Sequence, residues 1–181
     1  MDHVHVGVAD MPMAARLKAI WNALDQVTDP EIPVVTLREL GILRAVQLGD
    51  DGVPEVVITP TYSGCPAMEQ MADDVRAALA QAGQPARLVT QLSPAWTTDW
   101  ITPAARDKLK AFGIAPPAGS AHVNLPGTIQ FSRRSRQNDA VACPQCGSDQ
   151  TTEISPCGST ACKAQYRCLA CMEPFDYFKP Y

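Results

Sequence analysis

Most of the chemistry open to this 181-residue chain rests on its seven cysteines. Cys143-Pro144-Gln145-Cys146 and Cys168-Leu169-Ala170-Cys171 are Cys-x-x-Cys turns with positions 147–167 between them. Such a turn sets two thiolates on one side of a metal ion, and two turns complete the tetrahedron that structural zinc requires. The interval is one residue beyond the usual zinc-ribbon window, which a flexible insert absorbs. Iron–sulfur ligation by the same four thiolates stays open, and the paired layout favours zinc. Cys157 and Cys162 fall between the turns, as spare thiols, a second weak pair or substitutes in a cluster site. Phe175, Tyr177, Phe178 and Tyr181 are expected to pack against the module, which is too small to build a core alone.

Cys65 stands apart, far before the first turn, in Thr61-Tyr62-Ser63-Gly64-Cys65-Pro66. Pro66 suits the first position of a helix. The thiol is therefore expected at a helix N-terminus, where free amides and the macrodipole favour thiolate. A thiolate there attacks electrophiles or binds iron, and Thr61, Tyr62 and Ser63 offer hydroxyls to orient what it holds. The competing reading is an inert cysteine tucked under the loop. A cysteine nucleophile needs a base. The histidines, His3, His5 and His122, lie in segments expected to be loose, so no catalytic residue is assigned and transient metal or cluster handling fits better. Asp29-Pro30-Glu31-Ile32-Pro33 is a rigid acidic elbow. Its carboxylates can act as an acid/base pair or as metal ligands; alternatively Asp29 caps a turn and Glu31 faces solvent, the role that residue type alone favours.

Composition narrows the classes. The formal charge is −4, with 9 Lys+Arg against 14 Asp+Glu over residues 1–130 and 6 against 5 over residues 131–181. No bulk attraction to nucleic acid follows, and Arg133, Arg134 and Arg136 read as a solvated tether. A secreted disulfide fold spreads its cysteines, whereas six of these seven fall in the stretch from Cys143 to Cys171. The start has no charged-then-apolar leader, and no apolar run approaches the ~20 residues of a membrane span. The expectation is a cytoplasmic chain with reduced thiols, no nucleic-acid partner and no membrane partner.

The elements that must position these groups follow from periodicity. Met13, Leu17, Ile20, Trp21, Leu24 and Val27 form one stripe of an amphipathic helix, ended by Thr28-Asp29-Pro30. Residues 34–41 close a helical turn at Gly41. Ile42 to Leu48 and Val53 to Thr59 read as strands joined by the loop Gly49-Asp50-Asp51-Gly52. A helix with Met68, Met71, Val75 and Leu79 on one face ends at Gly83, and Ala86 to Leu92 reads as a third strand. Trp96 and Trp100 either lid a core or dock a partner. Thr102 caps a short helix that starts at Pro103 and runs to Gly113. The fold expected is α/β (α+β), a small sheet backed by helices followed by a zinc ribbon. Its parts are an α/β domain over residues 12–113, a linker over 114–140 and a ribbon over 141–181.

These residues also carry a family resemblance. Leu24-Asp25 with Val27, Asp29-Pro30-Glu31-Ile32-Pro33, Leu40-Gly41-Ile42 and Thr61-Tyr62-Ser63-Gly64-Cys65-Pro66 resemble the small α/β domain of iron–sulfur cluster assembly factors. Cys143-Pro144-x-Cys146-Gly147-Ser148, Gly158-Ser159-Thr160-Ala161-Cys162-Lys163-Ala164, Arg167-Cys168-x-x-Cys171 and Glu173-Pro174-Phe175-Asp176-x-Phe178-Lys179 narrow it. Together they resemble the D-subunit family of the bacterial phenylacetyl-CoA epoxidase system, over nearly all of residues 13–181. The resemblance implies a non-catalytic role in iron–sulfur cluster assembly or maturation, serving the reductase that feeds the di-iron epoxidase in phenylacetate degradation. It implies partners among the reductase and the other subunits, Cys65 as the functional thiol with Asp29, Glu31 and Thr61 beside it, and structural zinc with a transient iron or iron–sulfur cluster. It leaves Cys162 as a possible additional thiol. Cys157 departs from the pattern, since relatives often carry an aromatic residue there. The alternative role is a structural or docking subunit acting through the ribbon, Trp96 and Trp100.

Overall fold

The computed structural model describes residues 12–62, 64–117 and 141–181. His3, His5, Ser63, His122, the arginine cluster and positions 118–140 of the expected linker lie outside them. The chain divides into two compact units, Met1–Trp96 and Thr97–Tyr181. No helix among the described residues is long and apolar enough to cross a membrane.

In the first unit, α1 (Met13–Leu24) and α2 (Met68–Gln81) back a three-stranded sheet of order β1-β2-β3, formed by Leu43–Leu48, Pro54–Ile58 and Arg87–Thr90. β1 and β2 form an antiparallel hairpin, while β2 and β3 run parallel, with α2 as the crossover. β2 is central, and its consecutive Val56, Val57 and Ile58 are all buried, as expected for a strand covered on both faces. The hairpin turns at Gly52, whose φ of 75° an L-side chain adopts reluctantly. Ile20, Leu24, Leu37, Leu40, Met71, Val75 and Leu79 supply the helix and turn side of the core.

The turn expected at 34–41 is held by a reciprocal capping box: the Glu39 amide donates to Thr36 Oγ1 at 3.1 Å and the Thr36 amide to Glu39 Oε2 at 3.0 Å. Trp96 is 4% exposed and its indole N–H donates to the Leu40 carbonyl at 3.0 Å. That corrects the docking role considered for Trp96, because the ring fills the core. Trp100 is half-buried in a 3-10 turn, Thr98–Trp100.

The second unit begins earlier than expected. α3 (Pro103–Ala111), capped by Thr102 Oγ1 accepting from the Ala105 amide, leads into β4 (Ile114–Ala115). β4 pairs in parallel with β7 (Pro174–Phe178), giving a sheet of order β4-β7-β6-β5 with β6 at Lys163–Cys168 and β5 at Thr151–Ser155. The expected boundary at 113 is therefore displaced to 96/97, and residues 114 and 115 are strand rather than linker. The physical reason is the ladder of β4 on β7, which ties α3 to the ribbon.

Candidate functional site

Two groups of residues come together, one in each unit. In the first, β2 ends at Ile58 and the chain crosses through Thr59–Ala67 into α2. Open α/β sheets present ligand sites at the carboxyl ends of their strands, where the crossover leaves the sheet. Cys65 sits in this crossover, half-buried. The helix does not begin at Pro66. Its first residue is Met68 and its cap position is Ala67, which makes no side-chain cap bond.

This placement reverses the expected thiolate character. The Cys65 thiol is pushed above its ordinary value of 9.0, first by burial. Hydrogen bonds from the Ala67 amide and from Tyr62 oppose the rise, and the negative charges of Asp29 and Glu31 reinforce it. Those two carboxylates belong to a stretch of chain well before Cys65, and the fold brings them near enough for their charge to act on the thiol. Asp29 is 7% exposed, and its Oδ1 accepts from the Glu31 and Ile32 amides at 2.9 Å each. It is thus both a turn cap and a charge felt at the thiol. Glu31 is exposed, and Thr61 is half-buried in the same crossover as Cys65.

In the second unit the Cys143–Cys146 turn precedes β5, and the Cys168–Cys171 turn joins β6 to β7. The four sulfurs lie within 4.8 Å of one another. Cys143 and Cys171 are 3.8 Å apart and Cys146 and Cys168 3.6 Å. Thiolates at ~2.3 Å around a tetrahedral ion are separated by about 3.8 Å, so the set fits a single ion. An iron–sulfur cluster would hold its cysteines farther apart, because several irons and sulfides lie between them. The amides of Ala170 and Cys171 point at Cys168 Sγ, 3.4 Å each. The Cys171 amide leads in holding the Cys168 thiol down at about 6, with that of Ala170 adding to it. A thiol that ionises this readily is prepared for metal.

The remaining two cysteines stay out of this group. Cys162 is buried, its Sγ 3.1 Å from Thr160 Oγ1, and Cys157 is exposed. Phe175, Tyr177 and Phe178 are buried as expected, with Tyr166 packed edge-on against Tyr177 at 5.5 Å. Tyr181 is 37% exposed and instead donates its hydroxyl to the Ala161 carbonyl at 3.0 Å. The near-buried Lys163, 3.6 Å from Asp176, was not anticipated. Gly158 lies against this pair, where a Cβ would stand 3.2 Å from Lys163 Cβ and 3.4 Å from Asp176 Oδ1. No local pattern marks a pair formed across strands.

Known families match two separate stretches of the chain. The family described as "Iron-sulfur cluster assembly protein" matches residues 17–87, and "PaaD zinc beta ribbon domain" matches residues 128–179. The chain is 51% identical over 163 residues to the D subunit of the "Putative 1,2-phenylacetyl-CoA epoxidase" of Escherichia coli (strain K12), spanning 88% of this chain and 90% of that protein. It is 33% identical to "Fe-S protein maturation auxiliary factor YitW" of Bacillus subtilis (strain 168), over 51% of this chain and 84% of that one. It is 34% identical to "Fe-S protein maturation auxiliary factor SufT" of Staphylococcus aureus (strain USA300), over 44% and 92%.

Proposed function

The chain belongs to the family of phenylacetyl-CoA epoxidase D subunits, and from that premise we propose that it is an accessory factor for iron–sulfur cluster assembly or maturation. It serves the reductase of the epoxidase complex, works in the cytoplasm and catalyses no reaction itself. The observation that carries this reading is a half-buried Cys65 in the β2–α2 crossover on which the Asp29 and Glu31 charges act, inside the stretch matched by the assembly family.

The chemistry follows from the resting state of that site. Burial and two carboxylates keep the Cys65 thiol protonated, which protects it from oxidation and from casual electrophiles. An incoming cationic iron species is attracted to the carboxylates and offsets the charge that disfavours thiolate, so the sulfur loses its proton as the cargo arrives. Ala67 and Tyr62 are in place to donate to the thiolate then formed. Thr61 lies four residues before Cys65 in the same crossover, half-buried, and we assign it to the same site.

Cys143, Cys146, Cys168 and Cys171 hold one zinc ion, which cross-links the second unit and takes no part in the delivery. Cys162 is a packing thiol. The test replaces Cys65 with serine and measures the cluster content of the partner reductase in cells. Depleted clusters with intact complex formation are expected; full cluster occupancy in the variant would overturn the assembly role.

A further inference from the structure

The two Cys-x-x-Cys turns are built alike. In each, the first cysteine's amide donates to the carbonyl five residues on, Cys143 to Ser148 and Cys168 to Glu173, both at 3.0 Å. In each, the residue after the second cysteine is left-handed, Gly147 at φ 75° and Met172 at φ 66°. Glycine takes this conformation freely, whereas a bulky L-residue is strained there. Met172 is 62% exposed, so little packing within the chain holds its side chain there. Leu169, three residues earlier on the same turn, is 53% exposed. A strained position kept by a large, exposed, polarizable side chain is a signature of contact with something else.

We propose that Leu169 and Met172 form a docking tip that inserts into an apolar cleft of another protein, one of the other subunits of the epoxidase system. The surroundings select this occupant. Apart from the ligand Cys146, the exposed residues of both turns, Gln145, Gly147, Leu169, Ala170 and Met172, carry no formal charge, and the exposed residues flanking the second turn, Arg167 and Glu173, are of opposite sign. A phosphate backbone or an anionic membrane surface would demand basic groups. A second copy meeting tip to tip would bury on the order of 200 Å² per chain, against the about 800 Å² per partner of a stable interface. The tip is an anchor within a larger heterologous contact, of the kind in which a few central side chains carry most of the affinity. Cys65 takes no part in this contact.

The test uses the full chain and the purified remaining subunits of the epoxidase system from the same source, with affinity read by biolayer interferometry and unfolding by calorimetry. Met172→Gly relieves the backbone while deleting the tip, so it should raise the Tm by roughly 4 °C and weaken binding at least about tenfold. Leu169→Ser should weaken binding similarly with zinc content unchanged, and Cys65→Ser should bind as the parent does, which separates this inference from the assembly role. The proposal is overturned if Met172→Gly binds like the parent, or if its binding falls together with its Tm. It is also overturned if the parent binds none of the subunits and instead self-associates or captures nucleic acid.

Discussion

At the scale of single residues, Cys65 shows how far burial outweighs sequence position. Its place before Pro66 predicts a thiolate, yet half-burial and the Asp29 and Glu31 charges raise its pKa. Because the folded thiol holds its proton more tightly than the unfolded one, its contribution to stability is complete at neutral pH. That contribution is lost as pH rises beyond 9.0 through the folded value. Site-resolved alkylation by iodoacetamide should therefore be slow at Cys65 at pH 7.5 and accelerate only above pH 9. Glu31→Gln, at an exposed position, should move that profile to lower pH; an unchanged profile would show that Glu31 exerts no charge effect at the thiol. The grouping of Cys143, Cys146, Cys168 and Cys171 was legible because a Cys-x-x-Cys turn is local. The state of Cys65 was not, because desolvation and the acidic elbow act on it through the fold.

At the scale of elements, the helices and strands of the first unit follow their sequence periodicity to within a few residues, with α1 stopping at Leu24, short of the predicted Val27. The Thr36-x-x-Glu39 box was also present to be read, and it organises more than its own turn. Thr28 bridges to Thr36, and the Asp29 amide donates to the Val35 carbonyl at 3.0 Å, so the acidic elbow is fastened to the box. Thr36→Ala should cost about 1 kcal/mol, seen as a lower urea midpoint with an unchanged m-value. Retention of full stability would mean that the turn is held by Leu37 and Leu40 packing alone. What periodicity missed is long-range pairing: the Trp96 indole meets Leu40, and β4 meets β7 near the far end of the chain. A strand as short as Ile114–Ala115 has no periodicity to detect.

At the scale of the whole molecule, the two units answer to different physics. The first buries its apolar core between helices and sheet; the second buries Ile101, Leu109, Ile114 and Phe178 and sets a small cluster, Ala115, Val141, Ala164, Phe175 and Tyr177, around Cys143 and Cys168, too few side chains to hold the two cysteine turns without a metal. Metal binding and folding are coupled in such modules. About one zinc per chain is expected by elemental analysis. Chelation, or Cys143→Ser, should collapse the amide resonances of the described residues from 141 onward while those of residues 13–96 persist. Collapse of both sets together, or iron and acid-labile sulfide in place of zinc, would refute this division.

The ladder of β4 on β7 carries a last consequence, for anyone dividing the chain. Ile114 and Ala115, both buried, cover the flank of a strand that holds Phe175, Tyr177 and Phe178. A fragment begun at Val141 would leave that flank open, and an open strand beside three aromatic residues invites sheet-to-sheet aggregation. The same ribbon begun at Thr97 keeps its cover, so a single excision point decides between an orderly fragment and a sticky one.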